Sequence, residues 1–517
     1  MKKILLLFVF LAASSWMMAQ RTVTGTVTDT GGDPLIGANV IALGTTVGTI
    51  TDIDGNFTIN MPAGNNTIVV SYIGYEDQNI DVTGLSNVSV TMREGTLLEE
   101  VVVTALGIEK SEKSLGYSAT TVSSEELTQT RNNSFADAIS GRVAGVTINS
   151  NGAPGGSTSI VMRGFSSATG NNEALIVIDG IPILNKANRG LTQVLNANDD
   201  FNRSQDFGTQ ANDINPDDIE SMTILKGAAA TALYGSAAAN GAIIITTKSG
   251  KLNQPLRVDY SGTISQSRVN RLPHLQNTFG QGWNGLWASN ENGSWGPKAD
   301  GVERLWGNTV NNSRKLKPYT IQEDNLRDFY DYGSGINNSI AISGGNENST
   351  FRISYSNAQE DGIVPTNADS YKLNSLGLNG KLKSGRFSVG SNVTFSNKKQ
   401  KSVATGQGDD AGAGSVLFQE IIQIPRDHSI VDYKDINDPF NNLDNFFTPY
   451  AQNPYYILDA QGNDYNEDRI RGSVDVGYDL FTNLKAQVRV GGDFSNSNLQ
   501  DWGNVAIITP GSSKFIC

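Results

Sequence analysis

From residue 255 onward the sequence repeats one pattern that leaves little freedom of fold: apolar and polar residues take turns. "LRVDYSGTI" alternates Leu256, Val258 and Tyr260 with Arg257, Asp259 and Ser261, and "FRISYS" alternates Phe351, Ile353 and Tyr355 with Arg352, Ser354 and Ser356. "RFSVGSNVTFS" sets Phe387, Val389, Val393 and Phe395 on one face, and "SVDVGYDL" and "LKAQVRV" continue the pattern. Successive side chains of a strand point to opposite faces, so a period of two specifies a sheet with one apolar and one polar surface. A soluble sandwich fits that alternation as well as a transmembrane barrel does. Three features favour the barrel: short turns on one side, as between Leu480 and Leu484; long Gly- and Asn-rich stretches on the other, at 270–335 and 398–468; and polar faces of Arg, Asp, Ser and Asn. Transmembrane barrels are polar inside, with short turns at one rim and long loops at the other.

The first 19 residues, "MKKILLLFVFLAASSWMMA", combine two lysines, an apolar run from Ile4 to Ala13 and a small-residue end. That is the pattern of a secretory signal peptide, with cleavage expected between Ala19 and Gln20 and Met17 an unusual occupant near the cut. No later run of about 18 apolar residues follows, so membrane residence after export requires strands. Cys517 is the only cysteine of the 517 residues, so no intrachain disulfide forms and sheets must supply the stability. A net charge of −13 argues against a nucleic-acid partner, which needs concentrated Lys and Arg. The length predicts two to four domains.

From Thr22 to about Arg93 the chain reads as short strands and turns, among them "TVTGTVTD", "GDPLIGANVIAL", "GTITDIDGNFTINMPAG" and "NTIVVSYIGYEDQNIDV". Alternation at Phe57, Ile59 and Met61, and again at Ile68, Val70 and Tyr72, predicts a small β-sandwich. Asp52, Asp54 and Asn56 imitate the start of a calcium loop. However, Gly55 is the fourth residue of that stretch rather than the sixth, and Ala63 stands where the glutamate belongs, so a hairpin turn is expected. The elements "GTVTD", "PLIGANV", "GTITDIDGNFTI" and "VSYIGYE" resemble the carboxypeptidase-regulatory-like domain, a seven-stranded sandwich that has no catalytic role when fused to exported proteins.

Residues 110–250 differ. "SSEELTQTRNNSFADAISGRVAGVTIN" carries a helical face of Phe135, Ala138, Ile139 and Val143, with Ser134 as a candidate N-cap. The strand-like runs "SIVMRGF" and "ALIVIDGIPI" come next, followed by "DINPDDIESMTILKGAAATALYGSAAANGAIIITTK". In this order "FADAISGRVAGV", "VMRGF", "ALIVIDGIPI" and "INPDDIESMTILKGAAATALYGSAAANGAIIITTK" resemble the plug domain of TonB-dependent outer-membrane transporters. The sandwich ahead of the plug narrows the resemblance to the SusC/RagA type.

That resemblance implies a mainly β fold: a signal peptide (1–19), the sandwich (20–96), a TonB box and linker (97–109), a mixed α/β plug (110–250) and the start of a large antiparallel barrel (251–517). It assigns plug-motif roles to Arg163, Gly164, Asp179, Gly180, Lys226, Gly227, Tyr234, Gly235, Asn240 and Gly241. It assigns contact with TonB to Glu100, Val101, Val102, Val103, Thr104 and Ala105, in the stretch "LLEEVVVTALGI". Three consecutive valines favour extension and keep every backbone donor, which suits strand addition to a partner. The alternative for Val101–Val103 is a last sandwich strand or a linker strand on the plug. Further expectations are TonB with ExbB and ExbD, a SusD-like lipoprotein lid, outer-membrane lipid, a periplasmic N-terminal domain and no cofactor or metal. The expected substrate is an oligosaccharide, with peptides as the alternative. Trp283, Trp287, Trp295 and Trp306 in the first long loop suit sugar stacking or loop packing, and none is assigned as a ligand residue.

An enzyme has little to build from. His274 and His428 lie in loop-like surroundings, and the Gly-Lys pairs at 250–251 and 380–381 are followed by leucine rather than Ser or Thr; paired carboxylates stay open. A secreted β-sandwich adhesin would explain the alternation but not the ordered plug motifs. A receptor signalling through a sigma regulator would carry a further N-terminal domain not found between Gln20 and Leu97. About seven strands follow residue 250, whereas a plugged barrel has about 22. The sequence is therefore expected to be part of a protein about twice as long.

Overall fold

The structure, a computed structural model, describes residues 21–45, 47–62, 64–72, 74–93, 101–103, 109–111, 119–129, 134–167, 172–183, 185, 205–403, 417–441, 451–481 and 484–503. The expected signal peptide and Cys517 lie outside the described residues. The chain divides into two units, 1–102 with 109–115, and 103–108 with 116–517.

The first unit is built on strands β1 (Arg21–Thr28), β2 (Asn39–Ala42), β3 (Gly48–Ile50), β4 (Asn56–Met61), β5 (Thr67–Ser71), β6 (Gln78–Asp81) and β7 (Asn87–Thr91). They form two sheets, β4-β1-β7 and β3-β2-β5-β6, so the seven-stranded sandwich is present. Its core is the alternate residues the sequence marked: Val23 and Val27, Val40 and Ala42, Phe57, Ile59 and Met61, Ile68 and Val70 are all buried. Full burial of side chains of this size is worth about 1.5–3 kcal/mol each. The turn at Asp52–Asn56 is not a hairpin: it joins β3 to β4, which belong to different sheets. The Asp52 carboxylate accepts from the amides of Asp54 (3.0 Å) and Asn56 (2.8 Å), closing the turn on itself. Beyond the sandwich, β8 (Val101–Val103) and β9 (Glu109–Ser111) form a two-stranded ladder.

The second unit opens with the α/β segment. β10 (Ala119–Ser123) runs into α1 (Ser124–Thr128), which is started by a capping box between Ser123 and Glu126. α2 (Phe135–Ile139) is capped by Ser134, as expected, and buries Phe135, Ala136, Ala138 and Ile139. β11 (Val146–Ser150) pairs with β12 (Thr158–Met162). β13 (Leu175–Ile178), β14 (Ile181–Ile183), β15 (Ile219–Leu225), α3 (Ala228–Tyr234) and β16 (Ala242–Thr247) complete it, with sheet order β10-β15-β16-β13-β14. The continuous apolar run "AIIIT" fits the inner strand β16, whose Ile243 and Ile245 join Met222, Ile224, Ile176 and Ile178 in one core.

The wall that follows is an antiparallel sheet of β17 (Arg257–Ser267), β20 (Gly333–Gly345), β21 (Ser349–Asp361), β22 (Ser370–Ser384), β23 (Phe387–Lys401), β24 (Gln461–Phe481) and β25 (Leu484–Gly503), in that order. It is part of a barrel and is not closed: β17 and β25 are its edges. Between β17 and β20 lie the hairpin β18 (Glu303–Val310) and β19 (Ser313–Pro318) and the helix α4 (Asn325–Phe329). Between β23 and β24 lie α5 (Leu417–Gln423) and α6 (Pro454–Ala460).

Burial in the wall is inverted relative to a water-soluble sheet. Arg352, Ser354 and Ser356 are buried, while Phe351, Ile353 and Tyr355 between them are 40–46% exposed. The same holds for β23 and β24, where Ser396, Lys398, Gln400, Glu467, Arg469 and Ser473 are buried and Phe395, Ile470 and Val474 are exposed. The polar face packs on the α/β segment, and the apolar face looks outward.

The described parts of the two long stretches expected as loops are folded. Trp306, Leu326, Phe329, Leu417, Ile421, Ile430, Tyr433 and Tyr455 share one core. The second stretch is also shorter than expected, because β23 continues to Lys401 and β24 begins at Gln461.

Candidate functional site

The polar face of the wall holds the plug through three acidic residues of the plug itself. The first is Asp179. With Gly180 it forms the two-residue turn between β13 and β14, both residues in the left-handed region (φ +49° and +86°), as the Asp-Gly hairpin signal requires. The turn leaves the Asp179 carboxylate at the end of β16, where it accepts from the Thr247 amide (3.0 Å) and hydroxyl (2.8 Å). Asn392 of β23 donates to the same carboxylate and to the Thr247 hydroxyl (2.8 Å), and Arg489 of β25 donates to the Asp179 carbonyl (3.3 Å). Burial pushes the Asp179 carboxyl up, and the Thr247 donors oppose that shift.

Asp218, at the start of β15, is the second. Its carboxylate pairs with Arg352 of β21 at 2.7 Å and accepts from Ser354 at 3.1 Å.

Asp213 is the third and the most enclosed. Lys398 of β23 sits 3.3 Å from it and 3.2 Å from Glu467 of β24, with the side chains 4–5% exposed. Arg469 approaches Asp213 at 3.8 Å and binds Asp493 through both nitrogens of its fork. The Tyr371 hydroxyl donates to Asp213 at 3.5 Å, the Tyr465 hydroxyl donates to Glu467 at 2.8 Å, and Phe207 of the plug stacks on Tyr465 at 4.9 Å. Burial pushes the Asp213 carboxyl up, and the Lys398 ammonium offsets part of the shift. Buried charges of this kind are held by their partners: breaking one pair by removing a member typically costs about 3–5 kcal/mol.

The plug-motif residues separate into two places. Arg163 and Gly164, Lys226 and Gly227, and Asn240 and Gly241 gather at one end of the plug sheet. There a Cβ on Gly227 would come within 3.0 Å of the Arg163 guanidinium, and Ser166 donates to Asn240 at 3.2 Å. Asp179 and Gly180 stand at the other end, against the wall. Tyr234 ends α3, and Gly235 caps it with φ +67°. Of the TonB-contact segment, Glu100, Thr104 and Ala105 lie outside the described residues, while Val101–Val103 are the strand β8 paired with β9.

Sequence reasoning did not single out Asp213, Asp218, Lys398, Glu467 or Arg469. The signal for Lys398, Glu467 and Arg469 was charge at the polar positions of strands whose other face is apolar, whereas Asp213 and Asp218 each end a short 3₁₀ turn and carry no such pattern.

The folded long loops carry a second polar assembly. His428 is fully buried, with its Nε2 3.1 Å from the Gln281 side-chain oxygen and its Nδ1 beside the Tyr433 hydroxyl. Asp427 accepts from the Gln281 amide (2.7 Å) and from Lys317 (2.5 Å), and Asn325 bridges the His428 carbonyl and the Ile430 amide at 2.7 Å each. Burial and the Lys317 charge bring the His428 imidazole down to about 3, so it is neutral at physiological pH. Trp306 packs edge-on against His428 at 5.1 Å and is a core residue, while Trp283 and Trp295 are exposed. Among the described residues no group of His, Cys, Asp and Glu is arranged to hold a metal.

Residues 111–242 match the TonB-dependent receptor plug domain, and residues 23–103 match the CarboxypepD_reg-like domain. The TonB-dependent receptor SusC of Bacteroides thetaiotaomicron is 32% identical over 511 residues, which are 96% of this chain and 47% of that protein. A TonB-dependent receptor of Formosa agariphila is 30% identical over 505 residues, 97% of this chain and 44% of its own length. The chain thus spans about half the length of the curated relatives it matches. In fold alone, at 18% identity, it is similar to the RagAB peptide importer in its open-open state, with a TM-score of 0.55 over 78% of this chain and 43% of that one. The chain therefore carries the plug and regulatory-like domains of TonB-dependent receptors and is similar over nearly its whole length to the SusC receptor.

Proposed function

We propose that this chain acts within a TonB-driven outer-membrane importer that takes up oligosaccharides together with a SusD-like lipoprotein, without catalysing a reaction. The observation that carries the membrane part is the inverted wall. Exposed apolar residues run from Ile470 to Leu480 on β24 and from Leu484 to Phe494 on β25, the ~9–11 residues a tilted transmembrane strand needs. The short turns then face the periplasm, and the folded loops face the exterior.

The outer membrane has no energy source of its own, so opening the plug requires a mechanical pull. Val101–Val103 is the proposed handle: a β-branched, extended segment whose ladder partner among the described residues is the three-residue strand β9, short enough to exchange for a partner's sheet edge. TonB, energised through ExbB and ExbD, would grip the backbone there. Force passed into the plug must break the contacts of Asp179, Asp213 and Asp218 with the wall.

The test uses the complete reading frame in its source organism. Replacing Val102 by proline removes a backbone donor and is expected to abolish uptake while leaving outer-membrane levels unchanged. Unimpaired energy-dependent uptake by that variant would overturn the TonB reading. Deletion of the gene is expected to remove growth on particular glycans; loss confined to peptides would replace the oligosaccharide reading with peptide import.

A further inference from the structure

We propose that the outward face of the wall carries a binding site for a phosphorylated glycolipid of the outer leaflet, made by Lys372, Lys399 and Lys401. The proposal rests on the wall crossing the outer membrane as argued above.

Register places these residues. Tyr371 and Gln400 are buried against the plug, so their neighbours Lys372, Lys399 and Lys401 point the other way and are exposed. Lys372 stands directly opposite Lys399, and Ser370 opposite Lys401. Among the described wall strands, every other Lys and Arg occupies the inward alternation, including Arg352, Lys398, Arg469 and Arg489. The outward cations are therefore gathered on two adjacent strands, at the long-loop end. Like charges directly across a ladder repel. Among the described residues Lys372 and Lys399 have no acidic side chain at ion-pair distance, and Lys401 reaches Asp464 only at 3.8 Å.

What lies below them identifies the ligand as an amphiphile. One register row toward the turns, Asn338, Asn357, Asn374, Asn397, Asp468 and Asn496 follow one another across six strands. Below that row the outward face turns apolar, with Leu376, Phe395, Ile470 and Phe494 all exposed. Phe395 and Lys399 are four residues apart on one strand, about 13 Å at the rise of a β-strand. Acyl chains against the apolar belt, sugar hydroxyls along the amide row and phosphate at the lysines match that order. A depression of about 640 Å³ lies at this level, lined by Lys372, Lys399 and Lys401 together with the carboxylates of Glu360, Asp361 and Asp464. A soluble anion would use the lysines but have no call on the belt beneath.

The complete protein, extracted from outer membranes in mild detergent, is compared with the variant Lys372→Gln, Lys399→Gln, Lys401→Gln and with a control, Asn498→Ala, on the same face. Native mass spectrometry counts the phosphorylated glycolipid retained per protein. The triple variant is expected to lose retention roughly fivefold per lysine, on the order of a hundredfold in all, with the control unchanged. Equal retention by the triple variant would overturn the proposal, and so would displacement of the bound lipid by inorganic phosphate at matched ionic strength, the mark of a site for free anions. Heat-modifiable migration on gels reports the barrel separately: a barrel that persists while retention is unchanged refutes the lysine site alone, and a protein recovered without detergent refutes the membrane reading as well.

Discussion

Gly241 and Gly235 both hold positive φ, and their surroundings separate them. A Cβ on Gly241 would meet the Met162 sulfur at 2.4 Å and the Leu225 carbonyl at 3.0 Å, with φ at +99°. A Cβ on Gly235 would meet nothing within 4 Å. Thermal unfolding of the purified protein should therefore show Gly241→Ala destabilised by about 2–3 kcal/mol and Gly235→Ala by only about 1 kcal/mol. Asp369, in the β21–β22 loop, supplies a pH test. Burial and the charge of Asp361 bring its carboxyl up to about 7, against the Val364 amide, which donates to it at 3.1 Å. The folded state then holds a proton that the unfolded state releases from its ordinary carboxylate value upward, so this residue makes stability fall as pH rises from about 4 to 7. Asp369→Asn should remove that part of the slope and raise the melting temperature at pH 7.5; an unchanged slope would count against it. His428 works in the opposite direction. Its depressed value means the unfolded state takes up a proton first, so stability falls as pH drops from about 6.5 to about 3.

At the scale of elements, neither the turns nor the contacts across elements were fully readable. "ALIVIDGIPI" read as one strand-like run, and the structure breaks it at Asp179–Gly180 into the hairpin of β13 and β14. That its carboxylate would also hold Thr247 and Asn392 depends on strands 68 and 213 residues away in sequence. Asp179→Ala should leave the Thr247 amide and the Asn392 side chain short of an acceptor, costing about 1–3 kcal/mol. Hydrogen exchange is expected to show the β16 end and β23 loosening together, and protection lost in only one of them would mean the bridge between plug and wall is not the carboxylate. The long loops show the other limit. Their Gly- and Asn-rich composition reads as irregular chain, yet Trp306, Phe329, Ile421 and Tyr433 form a core, because apolar residues scattered through two segments far apart in sequence meet only after the strands between them have paired.

For the whole molecule, the central prediction concerns the buried charges between plug and wall. Asp213→Ala leaves Lys398 without one of its two acidic partners in a buried site, and a loss of about 3–5 kcal/mol is expected, read as easier release of the plug to urea and faster proteolysis of residues 119–248. The double variant Asp213→Ala, Lys398→Met removes the stranded charge with its partner and should recover most of that loss; no recovery would show that the pair does not act as a unit. Sequence alone determined the order of the parts, because the sandwich alternation, the plug motifs and the period-two strands are local patterns that any reading of neighbours recovers. It also determined which face of each strand is polar. Tertiary structure decided that this polar face is the buried one, through contacts such as Asp213 to Lys398, 185 residues apart. Alternation records that two faces differ, and only the packing of the plug against one of them says which meets protein and which looks outward.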